Sequence, residues 1–239
     1  MPKKRKLKQK AKEIDVSPHI FTSEDKTFSR EPYEEHPLSP RPDSIICLMS
    51  PPGHGKTSIV KNWACHTDVR KVFVAHGAGI GEDGKLATRE YDLCDYEAVD
   101  FETHGPDYYI SESKKIKGGG MLLICDDLPY ADFSKKARQN IYRCVQLVCT
   151  HYQMVMMMTA HSWPQLVPRL RRLCTIYCLW KPSADQIPYL ASGLGCSRDM
   201  LNRAFAKCKT KYDFIVIERD CPPFRAPWRL NGYLPLRMD

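Results

Sequence analysis

Lys56 and Thr57 stand behind two glycines, Gly53 and Gly55, in the run SPPGHGKTS that spans Ser50–Ser58. A lysine and a hydroxyl directly after a glycine-rich turn suit phosphate oxygens. Successive backbone N–H groups in such a turn form an anion-binding concavity, and a following helix N-terminus adds positive potential. The spacing follows G-x-x-x-x-G-K-[ST], with Ser50 in place of the first glycine. Serine is small enough for the tight exit from a strand. Ser50, Pro51, Pro52, Gly53, His54, Gly55, Lys56, Thr57 and Ser58 are therefore the expected contacts of an ATP phosphate chain. Lys56 is expected to reach the β- and γ-phosphates, and the Thr57 hydroxyl to ligate Mg²⁺. A purely structural glycine turn is the alternative.

A second group of residues completes this chemistry. Asp126 and Asp127 close the apolar run MLLICDD, Met121–Asp127. In a parallel sheet the carboxyl ends of the strands border the ligand crevice. Asp126 is expected to hold Mg²⁺ through water, and Asp127 to orient and polarise an attacking water. The alternative for Asp127 is a cap on the following turn. A further polar group is expected after the strand MVMMMTA, with His161 the first candidate and Thr159 the second. A structural role is the alternative for His161.

These residues need a scaffold that presents strand ends to one crevice. Ser44–Ser50, Lys71–His76, Met121–Asp127, Met154–Ala160, Cys174–Trp180 and Tyr212–Glu218 read as strands, several of them unbroken apolar runs. Lys56–His66, Phe133–His151 and Arg198–Lys209 read as helices, the second with Ile141, Val145 and Val148 on one side. Alternation of this kind predicts an α/β fold, a mainly parallel sheet with helices on both faces. Residues 77–118 are polar and read as an insertion with weak internal structure. The four methionines at 154, 156, 157 and 158 read as soft core packing. The expected organisation is a tail over 1–43, one nucleotide-binding domain over 44–220, and an extension over 221–239.

Composition bounds the remainder. The chain has 239 residues, 43% hydrophobic, which suffices for one packed core. No apolar run is long enough to span a bilayer, and the start lacks the apolar core of a secretory signal, so no membrane partner is expected. The formal charge is +8, and Lys3, Lys4, Arg5, Lys6, Lys8, Lys10 and Lys12 supply most of it. That run reads as a nuclear localisation signal, a nucleic-acid-binding arm or a solubilising tail. The expected location is the nucleus or cytoplasm of a host cell, or the virion. The 11 cysteines are scattered without a CxxC pair, which argues against a zinc site and for reduced, buried thiols. Cys174 and Cys178 are expected on the same side of one strand.

Four blocks carry a resemblance: SPPGHGKTS, ICDDLP, MMMTAHS and VPRLRRLCTIYCLW. Together they resemble the FtsK–HerA superfamily, and within it the genome-packaging ATPases of poxvirus type. The resemblance spans about 44–218 and leaves out 1–43 and 77–118. It implies a RecA-like (ASCE) P-loop NTPase with ATP and Mg²⁺ as cofactors. Asp126 would take the metal role and Asp127 the catalytic role that relatives give to Glu. His161 stands where relatives usually carry Gln. The family further implies an arginine acting on a neighbouring subunit's ATP. Arg171 is the first choice, with Arg172 and Arg169 beside it. The implied assembly is a homo-oligomeric ring, a hexamer, pumping double-stranded DNA into a capsid. Other DNA pumps or helicases of the superfamily, a small-molecule kinase and an ATP-switched interaction protein are the competing readings. The adjacent Asp-Asp pair argues against the kinase.

Overall fold

The computed structural model describes residues 43–66, 69–92, 95–116, 120–219, 221, 227–231 and 234–236. The basic run expected to form a tail lies outside them. In chain order the strands are β1 (Ile45–Met49), β2 (Val69–His76), β3 (Glu97–Ala98), β4 (Gly120–Asp126), β5 (Met154–Ala160), β6 (Ile176–Trp180), β7 (Phe214–Glu218), β8 (Trp228–Leu230) and β9 (Leu234–Pro235). The helices are α1 (Lys56–His66), α2 (Pro106–Lys115), α3 (Lys135–Arg143), α4 (Pro168–Leu173), α5 (Ile187–Leu194) and α6 (Arg198–Phe205). A π-helical segment, Cys144–Cys149, continues α3.

The strands form one sheet in the order β3-β2-β4-β5-β1-β6-β7-β8-β9. From β3 to β6 every pairing is parallel, and β7, β8 and β9 follow antiparallel. β5 therefore lies between β1 and β4. In β1, Ile45, Cys47 and Met49 join one apolar cluster, while Ile46 and Leu48 join a second cluster on the opposite face. β4 and β5 divide in the same way. This two-sided burial is why these strands read as unbroken apolar runs. Met154, Met156, Met157 and Met158 are all fully buried, as expected of core packing. Ile141, Val145 and Val148 are buried on one side of α3 and its continuation.

Several expectations need correction. The described residues of segment 77–118 are not weakly structured: they contribute β3 to the sheet and α2, whose Tyr109 is fully buried against Phe73. The strand expected from Cys174 begins at Ile176, because Cys174 closes α4 with its N–H on the Arg171 carbonyl. Cys174 and Cys178 consequently pack in different clusters, on opposite faces. The last long strand starts at Phe214, so Tyr212 sits in the preceding turn, 59% exposed. The sheet also runs past residue 220, through β8 and β9.

Candidate functional site

Parallel strands bring their carboxyl ends to one edge of the sheet. Met49 pairs with Ala160, and His76 with Asp126. The residues that follow these four therefore meet at that edge. There they line a cavity of about 470 Å³ containing Gly53, Gly55, Lys56, Thr57, Asp126 and Asp127. Pro52, Ser58, Thr159, His161, His76, Glu90 and Tyr212 also line it.

The loop after β1 turns through two left-handed glycines, Gly53 at φ 72° and Gly55 at φ 88°. A side chain is strained in that region, which accounts for glycine at both positions. Ser50 continues the pairing with β5 through its N–H on the Ala160 carbonyl, 3.1 Å away. Its hydroxyl donates to the Pro51 carbonyl at 2.8 Å. His54 Nδ1 lies 2.9 Å from the Pro52 carbonyl, a contact that closes the loop tip. Pro52 and Ser58 are exposed, and Pro51 is half-buried.

Lys56 is buried at the base of the loop. Its Nζ donates to the carbonyl of Ser50 at 2.7 Å and meets His161 Nδ1 at 3.0 Å. Burial lowers its pKa, and the charges of Asp126 and Asp127 oppose that shift. An ammonium has only donors, so His161 Nδ1 must accept. The proton of the neutral ring is then on Nε2, which donates to Asp127 Oδ1 at 2.7 Å. Lys56, His161 and Asp127 thus form one hydrogen-bonded chain across the cavity. Asp127 has φ 52°, a left-handed conformation that aspartate tolerates better than most residues. Its N–H donates to Thr159 Oγ1 at 2.8 Å, and its carboxylate is directed at His161 rather than at the turn that follows.

Asp126 is held from three sides. Thr159 Oγ1 donates to its Oδ1 at 2.6 Å, Tyr91 OH to its Oδ2 at 2.7 Å, and Thr57 Oγ1 to Oδ2 at 3.3 Å. A hydroxyl and a carboxylate side by side are hard oxygen donors of the kind Mg²⁺ takes. Both carboxylate oxygens already accept a hydrogen bond, which fixes their orientation and favours contact through a metal-bound water. The residues therefore fit a divalent cation between Thr57 and Asp126.

Sequence reasoning missed Tyr91, Glu90 and His76. All three come from β2 and the polar segment after it. Ligand atoms of His76, Glu90 and Asp126 lie within 4.8 Å of one another. His76 Nδ1 accepts the Ala78 N–H at 2.9 Å, so its Nε2 carries the proton and faces Glu90 at 3.8 Å. That tautomer is a donor at Nε2 and not a metal ligand. Gly77 makes the approach of β2 to this corner possible. A Cβ there would stand 2.1 Å from the Asp127 carbonyl oxygen.

The three arginines lie apart from this cavity, on α4. The Arg171 guanidinium covers the Trp163 ring at 4.8 Å, and burial lowers its pKa. Arg169 covers Tyr142 at 4.6 Å. Arg172 is exposed.

Solved structures share this architecture. B204, the DNA-packaging ATPase from Sulfolobus turreted icosahedral virus, is 13% identical and superposes with a TM-score of 0.54, over 83% of this chain and 100% of its own. The genome packaging NTPase B204 from Sulfolobus turreted icosahedral virus 2, in complex with AMPPCP, is 15% identical with a TM-score of 0.54 and the same coverage. Its complex with ATP-gammaS is 13% identical with a TM-score of 0.53, covering 82% of this chain and 99% of that one. The fold is that of a RecA-like P-loop ATPase. No protein-family model and no curated protein sequence matches the chain.

Proposed function

We propose that this chain is a DNA-translocating ATPase that packages a viral genome into a capsid. The observation that carries the ATPase reading is the convergence of Lys56, Thr57, Asp126, Asp127 and His161 on one cavity at the carboxyl edge of the sheet. The loop amides and Lys56 hold the phosphates of ATP, with Ser50–Ser58 as the cradle. Thr57 and Asp126 would hold Mg²⁺, which would supply positive charge to offset that of the phosphate oxygens. Asp127 accepts the proton of the attacking water. His161 Nε2–H fixes the Asp127 carboxylate, and Lys56 fixes the tautomer of His161. When Lys56 turns to a γ-phosphate, His161 Nδ1 loses its donor, which couples nucleotide arrival to the position of Asp127.

The FtsK–HerA resemblance supports the motor and packaging parts of the proposal, together with a homo-oligomeric ring on double-stranded DNA at a capsid. In such a ring an arginine from one subunit would act at the next. Arg171 and Arg169 are engaged with rings of their own chain, so exposed Arg172 becomes the first choice, ahead of Arg171. The deciding experiment measures ATP hydrolysis with and without double-stranded DNA over a salt series. Hydrolysis that rises with duplex, more at low salt, is the expected result. ATP turnover indifferent to duplex at every salt concentration removes the translocation reading and leaves a plain ATPase.

A further inference from the structure

A second concave surface lies away from the nucleotide cavity and shares none of the described residues with it. It has a volume of about 520 Å³ and lies along α3 and its π-helical continuation, closed on one side by Arg169 of α4. Its cations are Lys135, Arg138, Arg143 and Arg169, and among the described residues no carboxylate lines it. The sequence explains the imbalance: from Phe133 to Ala184 there is no aspartate or glutamate. Among the described residues, none of the four cations forms an ion pair. The nearby carboxylates, Asp132 in the turn before α3, Glu102 on the Ser134 hydroxyl and Asp107 on α2, are outside the groove wall. Like charges gathered in one concavity repel, so this arrangement favours a polyanion.

Two of the cations are already oriented. Arg138 Nε donates to the Phe133 carbonyl at 2.8 Å and its Nη2 to the Ala131 carbonyl at 3.3 Å. Arg169 is stacked over Tyr142 and donates to Gln146 Oε1 at 3.3 Å. Each guanidinium keeps further N–H donors for a ligand. Ordering these long side chains before binding lowers the entropy lost on binding. The spacing decides between a small anion and a chain. Lys135, Arg138, Tyr142 and Gln146 recur every three or four residues and so follow one helix face. At about 1.5 Å per residue that row is roughly 17 Å long. One phosphate is far shorter, whereas a DNA strand places a phosphate about every 3.4 Å along the axis.

We infer that this groove binds the phosphate backbone of double-stranded DNA, as a contact surface separate from the ATP site. The inference rests on the DNA-translocation reading above and names where the duplex is held. Contacts to phosphate by Lys and Arg carry no base information, so binding here is independent of sequence.

The test uses the full chain, a blunt mixed-sequence duplex and a salt series. Lys135→Gln with Arg143→Gln neutralises two exposed cations with a good helix former and leaves the ATP cavity untouched. Two lost phosphate contacts should make the slope of log affinity against log salt shallower by about 2 units. Basal hydrolysis without DNA should be unchanged, and DNA stimulation should fall. Lys114→Gln on α2, off the groove, should keep the wild-type slope. If the wild type binds duplex and the double variant binds it with the same slope, the groove is not the contact surface, although the translocation reading survives. If the wild type binds no duplex, both fall together. If the double variant keeps duplex affinity but loses basal hydrolysis, the cations serve a neighbouring copy's nucleotide and the inference is wrong.

Discussion

The cavity at the carboxyl edge of the sheet and the basic groove both gather cations, but they are built differently. In the cavity, buried Lys56 sits with Asp126, Asp127 and His161, and each side chain has a specified partner. In the groove, exposed cations stand with an aromatic ring and amides and, among the described residues, without a carboxylate. Holding a phosphate needs positive charge and donors. Cleaving one also needs oxygens for a metal and an acceptor for the water's proton, placed without thermal wandering. The carboxylates and their hydrogen bonds suit the cavity to chemistry, and a described wall without them suits the groove to holding, as proposed above.

The sharpest way to break this contrast is to remove the proposed proton acceptor. Asp127→Asn should keep ATP bound and slow hydrolysis by about 10² to 10⁴, as expected for a positioned base. Single-turnover rates beside nucleotide-binding affinities separate the two effects. Glu90→Gln is the companion variant, because Glu90 also enters the cavity. Wild-type turnover in Asp127→Asn with a collapse in Glu90→Gln would move the base to the β2 side.

Displacing the acceptor without changing its chemistry should come next. Gly77→Ala places a methyl where the Asp127 carbonyl oxygen stands, 2.1 Å from the new carbon, so the corner must shift. A misplacement on the order of 1 Å costs about 10²-fold in rate. The expected signature is a lower kcat with ATP affinity retained, and an unchanged kcat would show that the corner tolerates the shift.

The supports of Asp126 should show a smaller effect. Thr159→Val removes its 2.6 Å donor and the acceptor of the Asp127 N–H together. Loss of such supporting hydrogen bonds typically costs about 10- to 100-fold in metal affinity. A buried donor left unmade costs about 1–3 kcal/mol of stability, readable by urea denaturation. Tyr91→Phe removes the 2.7 Å phenol contact alone and should raise the Mg²⁺ requirement without altering DNA binding. A Mg²⁺ titration of hydrolysis that matches wild type for both variants would mean that Thr57 and Asp126 do not hold the metal.

The smallest expected effect lies on the other side of the comparison. Neutralising Lys135 and Arg143 should leave Mg²⁺ dependence and basal turnover as they are. Any change in the Mg²⁺ requirement would mean that the two surfaces are coupled.

Local sequence carried much of the cavity. The glycines at 53 and 55, Lys56 and Thr57 are adjacent along one turn, and a turn's geometry is encoded within it. The strands β1, β4 and β5 were legible because burial on both faces demands unbroken apolar runs, and Asp126 was legible because it interrupts one. Tyr91, Glu90 and His76 had no such signal. Tyr91 reaches Asp126 across 35 positions of chain, and a polar segment looks the same whether it covers a cavity or solvent. The placement of β5 between β1 and β4, and the reversal at β7, likewise depend on which strands pair, not on what any one of them contains. Cys174 and Cys178 show the limit in miniature. Their spacing puts them on one face of a continuous strand, but a helix ends at Cys174, and only the tertiary path sends the two thiols to opposite sides of the sheet. Composition alone determined that residues 133–184 carry no acid. That Lys135, Arg138, Arg143 and Arg169 line one groove was decided by the seating of Arg169 of α4 over Tyr142 of α3, because helix periodicity aligns side chains on one element and cannot place a second element beside it.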